Sequence, residues 1–189
     1  HAKELGNEVP KVPLIFMKPP SSVIGSGDTI ILPPQSNQVE HEAELVAVIG
    51  KRGRHITAET AKKHILGYTI GNDVTARDLQ KSDNQWTRAK GFDTFCPFGP
   101  WIDTDFDPSD SVITCRVNGQ MRQMASTRDM VFNVGTLVAY ISSVMTLEPG
   151  DLIFTGTPSG VGELKSGDEV AVEIEGLGMI KNKAQAEGR

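Results

Sequence analysis

The stretch Val39-Glu-His-Glu-Ala-Glu-Leu-Val-Ala-Val-Ile-Gly50 joins clustered acids to a continuous apolar run. We predict that it forms one strand, so that Glu42 and Glu44, two residues apart, project from the same face. Val46 and Val48 continue that face, and the alternate positions on the opposite face are apolar as well. Both faces therefore become apolar within two residues. This pattern predicts a buried strand whose two acids enter a cleft.

A third acid, Asp73, lies in the stretch Ile70-Gly-Asn-Asp-Val-Thr-Ala-Arg-Asp78. Clustered carboxylates in partly dry surroundings repel one another unless a cation neutralises them. We therefore predict that Glu42, Glu44 and Asp73 hold a divalent metal. All-oxygen ligand sets favour Mg²⁺, Mn²⁺ or Ca²⁺, and the chain has no Cys-x-x-Cys or His-x-x-x-His spacing that would suit zinc. An isolated Glu-x-Glu pair, in contrast, is more often a solvated strand edge.

The composition indicates one ordinary globular domain covering residues 1–189. A hydrophobic content of 38% in 189 residues is enough for a single core, and no apolar run is long enough to cross a membrane. Two cysteines without a disulfide-like pattern fit a reducing cytoplasm. A net charge of -5 argues against a general nucleic-acid binder. Because the chain begins with His1 rather than Met, the sequence allows for an upstream segment.

Strand patterns outnumber helical ones along the chain. Helices are predicted over Thr57–Ile65 and over Val134–Met145, the second capped by Asn133. The prediction is a β-dominated α+β fold with peripheral helices. The predicted strands are Leu14–Lys18, Thr29–Leu32, Val39–Gly50, Leu66–Val74, a hairpin of Val112–Val117 with Gln120–Ala125, Gly150–Phe154, Glu169–Ile174 and Met179–Lys183.

Four motifs follow one another along the chain and together are far more specific than any one alone. They are Glu42-x-Glu44, Asp73-Val-Thr-Ala-Arg77-Asp-Leu-Gln80, Gln85-Trp-Thr-Arg-Ala-Lys90-Gly-Phe-Asp and Thr155-Gly-Thr157-Pro-x-Gly160-Val-Gly162. In this order they resemble the fumarylacetoacetate hydrolase family, over nearly the whole chain. The resemblance implies a single catalytic domain built as a mixed β-sandwich roll of that family's C-terminal domain type, and it implies a homodimer.

The resemblance also implies a class of reaction. It places Mg²⁺ or Mn²⁺ on Glu42, Glu44 and Asp73, where open coordination positions can chelate a 2-oxo acid substrate. The expected activity is cleavage of a carbon–carbon bond, by acylpyruvate hydrolysis or oxaloacetate decarboxylation through a metal-bound enolate. An isomerase or decarboxylase of 2-hydroxydienedioates in aromatic catabolism is the alternative. A non-catalytic metal or anion-binding module is an alternative of another class.

Further roles come from matching this sequence to the family motifs. The resemblance implies that Lys90 is catalytic and that Arg77, Gln80 and Thr157 bind the substrate, as donors to its carboxylate or to a developing oxyanion. The residues alone leave other interpretations open. Without the motifs, Arg77 is more typical of a structural ion pair with Asp78 or Asp73, and the other three are more typical of surface positions.

The N-terminal residues carry the last of the implied roles. The family has a His-x-x-Glu pair on a mobile lid, and the resemblance implies that His1 and Glu4 form this pair, within a possible lid over residues 1–12. Glu4 would orient His1, which would then activate water. By itself, a terminal histidine near a glutamate is typical of disordered surface. Glu40 is expected to contribute little, so that Glu40→Gln should leave activity nearly unchanged.

Overall fold

Strands dominate the computed structural model, which describes residues 10–188. Its three α-helices are short: α1 (Arg77–Ser82), α2 (Thr87–Lys90) and α3 (Val134–Val144). The strands of the described residues are β1 (Val23–Ile24), β2 (Thr29–Leu32), β3 (Val39–His41), β4 (Ala43–Ile49), β5 (Ile65–Asn72), β6 (Thr75–Ala76), β7 (Cys96–Asp103), β8 (Val112–Val117), β9 (Gln120–Ser126), β10 (Leu152–Phe154), β11 (Gly162–Glu163), β12 (Glu169–Ile174) and β13 (Gly178–Ala186).

These strands form three sheets. Two have five strands, in the orders β1-β7-β5-β4-β10 and β2-β13-β12-β8-β9, and a small third has the order β11-β3-β6. β1 runs parallel to β7, and β13 runs parallel to β2, whereas the other pairs are antiparallel. Mixed sheets with few helices confirm the predicted β-dominated fold with peripheral helices.

The core lies between the two five-stranded sheets. Each of the seven residues of β4 is buried, and the apolar side chains of β12 and β13 meet those of β5 and β7. Ile70 on β5 and Ile174 and Ile180 on the opposing strands are fully buried or nearly so. Burying one such side chain stabilises the fold by about 1.5–3 kcal/mol. The core therefore fixes β4 and β5, the two strands that carry the predicted acids.

The prediction of one strand over Val39–Gly50 is wrong in one respect. The strand breaks at Glu42, so that β3 joins the three-stranded sheet while β4 joins a five-stranded one. At the break, the Glu42 N–H donates to the Asn72 side-chain oxygen (2.9 Å), and the Asp73 N–H donates to the Glu42 carbonyl (2.8 Å). A side chain therefore replaces a ladder bond, and two sheets meet where the acids lie.

Two other predicted elements are wrong. Residues 14–18 belong to no strand; prolines flank the segment at Pro13 and Pro19, and proline cannot donate to a ladder. The helix predicted over Thr57–Ile65 is a turn followed by a 3-10 helix over Ala61–His64. The N–H groups of Thr60 and Lys63 bond to carbonyls three residues back, and Ile65 already pairs with β4. Pairing in the sheet thus outweighs the helix propensity of the lysines.

Several predictions are confirmed closely. The β8–β9 hairpin turns through Asn118 and Gly119, both with positive φ (51° and 77°), as a type I′ turn requires. α3 begins at Val134, and the Asn133 side chain accepts from the Thr136 N–H (2.9 Å). No helix of residues 10–188 is long and apolar enough to cross a membrane.

Candidate metal centre

Three carboxylates converge at the junction of β3, β4 and β5. One oxygen each from Glu42, Glu44 and Asp73 lies within 4.8 Å of the others, and all three side chains are buried. The sheet explains this arrangement: Glu44 on β4 stands opposite Gly71 on β5, and Asp73 follows that strand by one residue. The structure therefore brings together the three acids that the sequence pattern singles out. Their role as metal ligands remains a prediction.

Glu44 shows most clearly that this site suits a cation. Burial, together with the nearby charges of Asp73 and Glu42, raises the pKa of the Glu44 carboxyl well above its ordinary value. The Gly156 N–H donates to its Oε2 (2.7 Å), and no side-chain cation of residues 10–188 lies within salt-bridge distance of it. A hard dication would satisfy this carboxylate and reduce the repulsion among all three. The oxygen donor set thus fits Mg²⁺ or Mn²⁺.

Lys90 lies against two of the three acids, as expected of a residue at this site. Its ammonium donates to Glu42 Oε2 (2.9 Å) and to Asp73 Oδ2 (2.5 Å), and it also lies 4.7 Å from the centre of the Phe16 ring. Burial alone would lower the pKa of Lys90, but the charges of Asp73 and Glu42 outweigh burial and raise it. This setting favours a protonated Lys90 that donates hydrogen bonds; its catalytic role remains a prediction.

Lys18 is a member of the site that the sequence analysis missed. Its ammonium donates to Asp73 Oδ1 (2.6 Å) and to the Val74 carbonyl (3.0 Å). Burial raises the pKa of Asp73, but Lys18 and Lys90 outweigh burial, so that the pKa is lowered overall. The one available signal was a lysine between apolar residues and a proline, in a segment interpreted as a strand.

Arg77 and Gln80 lie side by side, because the chain turns into α1 at Arg77. The guanidinium donates to Gln80 Oε1 (2.5 Å), Glu42 Oε1 (2.5 Å) and Glu40 Oε2 (2.7 Å), and its side chain is 1% exposed. Burial would lower the pKa of Arg77, but Glu42 and Glu40 raise it. These bonds orient Glu42; the substrate-binding roles of Arg77 and Gln80 remain predictions.

Glu40 lies in surroundings that the sequence pattern does not indicate. The sequence analysis expects it to contribute little, but its side chain is buried and accepts hydrogen bonds from Arg77 and from Gln38 Nε2 (2.7 Å). It is therefore part of the charged cluster and is unsuitable as a neutral control. The physical reason is the break at Glu42, which places β3 against β11 and β6 and covers Glu40 from both sides.

Thr157 and Gln123 connect the glycine-rich loop to the acidic strand. The Thr157 hydroxyl donates to the Ala43 carbonyl (2.8 Å) and accepts from Gln123 Nε2 (2.8 Å). Gln123 Nε2 also donates to the Pro158 carbonyl (3.0 Å), and its Oε1 accepts from the Ala43 N–H (3.1 Å). Ala43 lies between two predicted ligands, so this buried glutamine holds the loop against the metal centre. No pattern in the sequence indicates this role of Gln123.

The remaining predicted residues are His1 and Glu4. Both lie outside the described residues, as does most of the lid predicted over residues 1–12. His41, for which no role is predicted, is buried beside Gln123 (Nδ1 to Oε1, 3.0 Å), and burial lowers its pKa. Its Nδ1 also lies 3.3 Å from Cys115 Sγ, so the ring packs against β8 and β9.

Comparison with known proteins identifies the family. The family model described as "Fumarylacetoacetate (FAA) hydrolase C-terminal" matches residues 1–185. The chain therefore belongs to the fumarylacetoacetate hydrolase family, as its motifs predict.

Three relatives carry three different names. Human mitochondrial oxaloacetate tautomerase FAHD2A is 49% identical over 97% of this chain and 62% of its own length. The structure of a 5-carboxymethyl-2-hydroxymuconate delta-isomerase from Mycobacterium smegmatis has a TM-score of 0.94 and 50% identity, covering 100% of this chain and 75% of that one. A fumarylacetoacetate hydrolase from Exiguobacterium antarcticum has a TM-score of 0.89 and 46% identity, covering 92% and 66%.

Proposed function

We propose that this chain is an enzyme that interconverts the keto and enol forms of a dicarboxylic 2-oxo acid such as oxaloacetate, with the help of Mg²⁺ or Mn²⁺. The observation that carries the proposal is the buried trio of carboxylates, with Lys90 bonded to two of its members. From the sequence alone, carbon–carbon bond cleavage is expected before isomerisation. The names tautomerase and isomerase, borne by relatives about 50% identical, favour the reverse order.

The charge of the cluster supports an anionic substrate. Four buried carboxylates (Glu40, Glu42, Glu44 and Asp73) face three buried or nearly buried cations (Lys18, Arg77 and Lys90). Among residues 10–188, these groups therefore carry one negative charge in excess when all four carboxylates are ionised, and a bound dication makes that sum positive by one. Weak screening in a buried site makes this reversal effective. A dicarboxylate is attracted to the metal-loaded centre even though the whole chain carries a net charge of -5.

The chain's own residues would act as follows. Glu42, Glu44 and Asp73 would hold the metal, which when bound polarises the keto oxygen of the substrate. Lys90, kept protonated by its two acidic neighbours, would donate a hydrogen bond to the oxygen on which negative charge develops, a contribution of about 3 kcal/mol. His1, oriented by Glu4, would move the proton at the adjacent carbon.

Carbon–carbon bond cleavage is the second candidate, favoured by the hydrolase name of the Exiguobacterium relative. It needs the same stabilised enolate, together with a water molecule activated by His1 for hydrolysis or the departure of CO₂ for decarboxylation. A non-catalytic metal or anion-binding module is the weakest candidate, because these relatives carry enzyme names. The homodimer and the cytoplasmic location stay predictions.

The test follows the ultraviolet absorbance of enol oxaloacetate after mixing, with total oxaloacetate measured separately by reduction with malate dehydrogenase. We expect the chain with Mg²⁺ or Mn²⁺ to accelerate loss of the enol while total oxaloacetate stays constant, and we expect a chelator to stop it. Equal loss of enol and of total oxaloacetate would instead indicate decarboxylation. Turnover of acetylpyruvate but not of oxaloacetate would indicate the hydrolase.

A further inference from the structure

Glu40 forms a buried ion pair next to the acidic trio without being one of its members. The guanidinium of Arg77 bridges it to Glu42, donating to Glu40 Oε2 (2.7 Å) through Nε and to Glu42 Oε1 (2.5 Å) through Nη2. The side chains of Glu40 and Arg77 are 8% and 1% exposed. The positive charge of Arg77 therefore contacts Glu42, a predicted metal ligand. The negative charge of Glu40 contacts the same guanidinium.

Arg77 affects metal binding because it is bonded to Glu42, one of the predicted ligands. A cation bonded to Glu42 competes with a metal ion for the electrons of that carboxylate, and water screens the competition little in a buried site. Glu40 offsets the charge of Arg77. Without Glu40, the cluster would have equal numbers of carboxylates and cations among residues 10–188, and a bound dication would raise the sum of their charges to two and not one.

We propose that Glu40 is a positioning residue that sets the charge of the metal centre through Arg77. It strengthens the binding of the dication and at the same time limits the attraction for the anionic substrate. The inference rests on the proposed function, because it requires a dication on Glu42, Glu44 and Asp73. It adds a residue that the family motifs leave out, and it reverses the expectation that Glu40 contributes little.

Opposite shifts distinguish this role from a merely structural one. If Glu40 only supported the local fold, its loss would disorder Arg77 and Glu42 and would weaken the binding of metal and of anion together. If it sets the charge, a neutral side chain weakens metal binding but strengthens anion binding. Glu40→Gln keeps the shape and an oxygen acceptor for Arg77, and Glu40→Met is a second neutral variant of similar length.

The experiment titrates Mn²⁺ into the full chain by calorimetry and then titrates oxalate, a planar dianion resembling the enolate of a 2-oxo acid, into the Mn²⁺-saturated protein. For both neutral variants we expect the Mn²⁺ Kd to rise about tenfold and the oxalate Kd to fall about threefold. Glu40→Asp, which restores the charge, should stay within about twofold of wild type for both ligands.

Glu163→Gln is the matched control, since Glu163 stands opposite Glu40 in the β11–β3 pair but is exposed. It should leave both affinities unchanged. Unchanged affinities in the neutral variants, or weaker binding of both ligands, would overturn the role of Glu40. A wild-type chain that binds no Mn²⁺ would refute the proposed function itself, so the two failures are distinguishable.

Discussion

At the scale of single residues, the sequence indicated which three acids come together, but it did not indicate the side chains that surround them. Glu42 and Glu44 were found because strand alternation places both on one side, and Asp73 because a motif surrounds it. Lys18 and Gln123 were missed because their partners lie 55 and 80 positions away, at Asp73 and Ala43. Hydrogen bonds between distant segments leave no periodic pattern in the sequence. Their residues become visible only when the sheets are assembled.

The raised pKa of Glu44 predicts how pH affects the metal-free protein. The folded chain holds a proton on Glu44 more tightly than the unfolded chain, in which the pKa of this carboxyl is near 4.5. The free energy of unfolding therefore falls as the pH rises from 4.5 through the raised pKa. Glu44→Gln lacks this titration, so in chelator it should be more stable than wild type at about pH 8.

Urea unfolding across the pH range checks this prediction. The difference between Glu44→Gln and wild type should shrink toward zero below pH 4.5. Saturating Mg²⁺ should reverse the order at about pH 8, because only the wild type gains stability by binding it. A difference in the free energy of unfolding that is independent of pH would contradict the raised pKa of Glu44.

Lys90 predicts a second effect on stability. Lys90→Met leaves Glu42 and Asp73 without the cation they share, and breaking a buried ion pair costs about 3–5 kcal/mol. We expect the free energy of unfolding to fall by this amount in chelator and to recover in part in Mg²⁺, since the metal replaces part of the missing charge. Lys81→Met, at an exposed position of α1, is the control. A Lys90→Met variant as stable as wild type without metal would be inconsistent with the described pairing.

At the scale of elements, the sequence predicted the regular hairpin and helix closely but missed strands whose pattern is irregular. The β8–β9 hairpin and α3 were predicted closely because turn residues and helical spacing are local signals. β7 was missed because Pro97, Gly99 and Pro100 break its pattern, although it pairs with β5 in the sheet. The break at Glu42, where the chain passes from the three-stranded sheet to a five-stranded one, was also missed. Alternation continues through that residue, and only the tertiary fold assigns β3 and β4 to different sheets.

The link from β9 to the glycine-rich loop predicts the effect of Gln123→Leu. The Ala43 N–H and the Pro158 carbonyl would each lose a partner, which costs about 1–3 kcal/mol for each group left buried and unsatisfied. We expect a lower free energy of unfolding in urea and a higher KM, since Thr157 would also lose its donor. Gln120→Leu, exposed on the same strand, should change neither. A change in stability alone would limit Gln123 to a structural role.

At the scale of the whole molecule, the fold and the family follow from the sequence, while the choice of reaction does not. Isomerisation, hydrolysis and decarboxylation all pass through an enolate, and the proposed site would suit each of them. The residues predicted to separate these reactions, His1 and Glu4, lie outside the described residues. The prediction for His1 and Glu4 therefore rests on the family resemblance and on the chemistry of the reactions.

We expect His1→Ala to impair acetylpyruvate hydrolysis more than oxaloacetate decarboxylation, by at least about tenfold, because only hydrolysis needs an activated water. Initial rates on the two substrates at saturating Mg²⁺ provide the measurement, and Glu4→Ala should follow the same order. Equal losses on both substrates would argue against activation of water by this pair.

The central claim is that Glu42, Glu44 and Asp73 hold one dication. Calorimetric titration of Mn²⁺ into the full chain tests it most directly, with Glu44→Gln beside wild type and Glu163→Gln as the exposed control. We predict one Mn²⁺ per wild-type chain, an unchanged Glu163→Gln variant, and a Kd at least about a hundredfold higher for Glu44→Gln. A wild-type chain that binds no Mn²⁺, or a Glu44→Gln variant that binds it as tightly as wild type, would contradict the account.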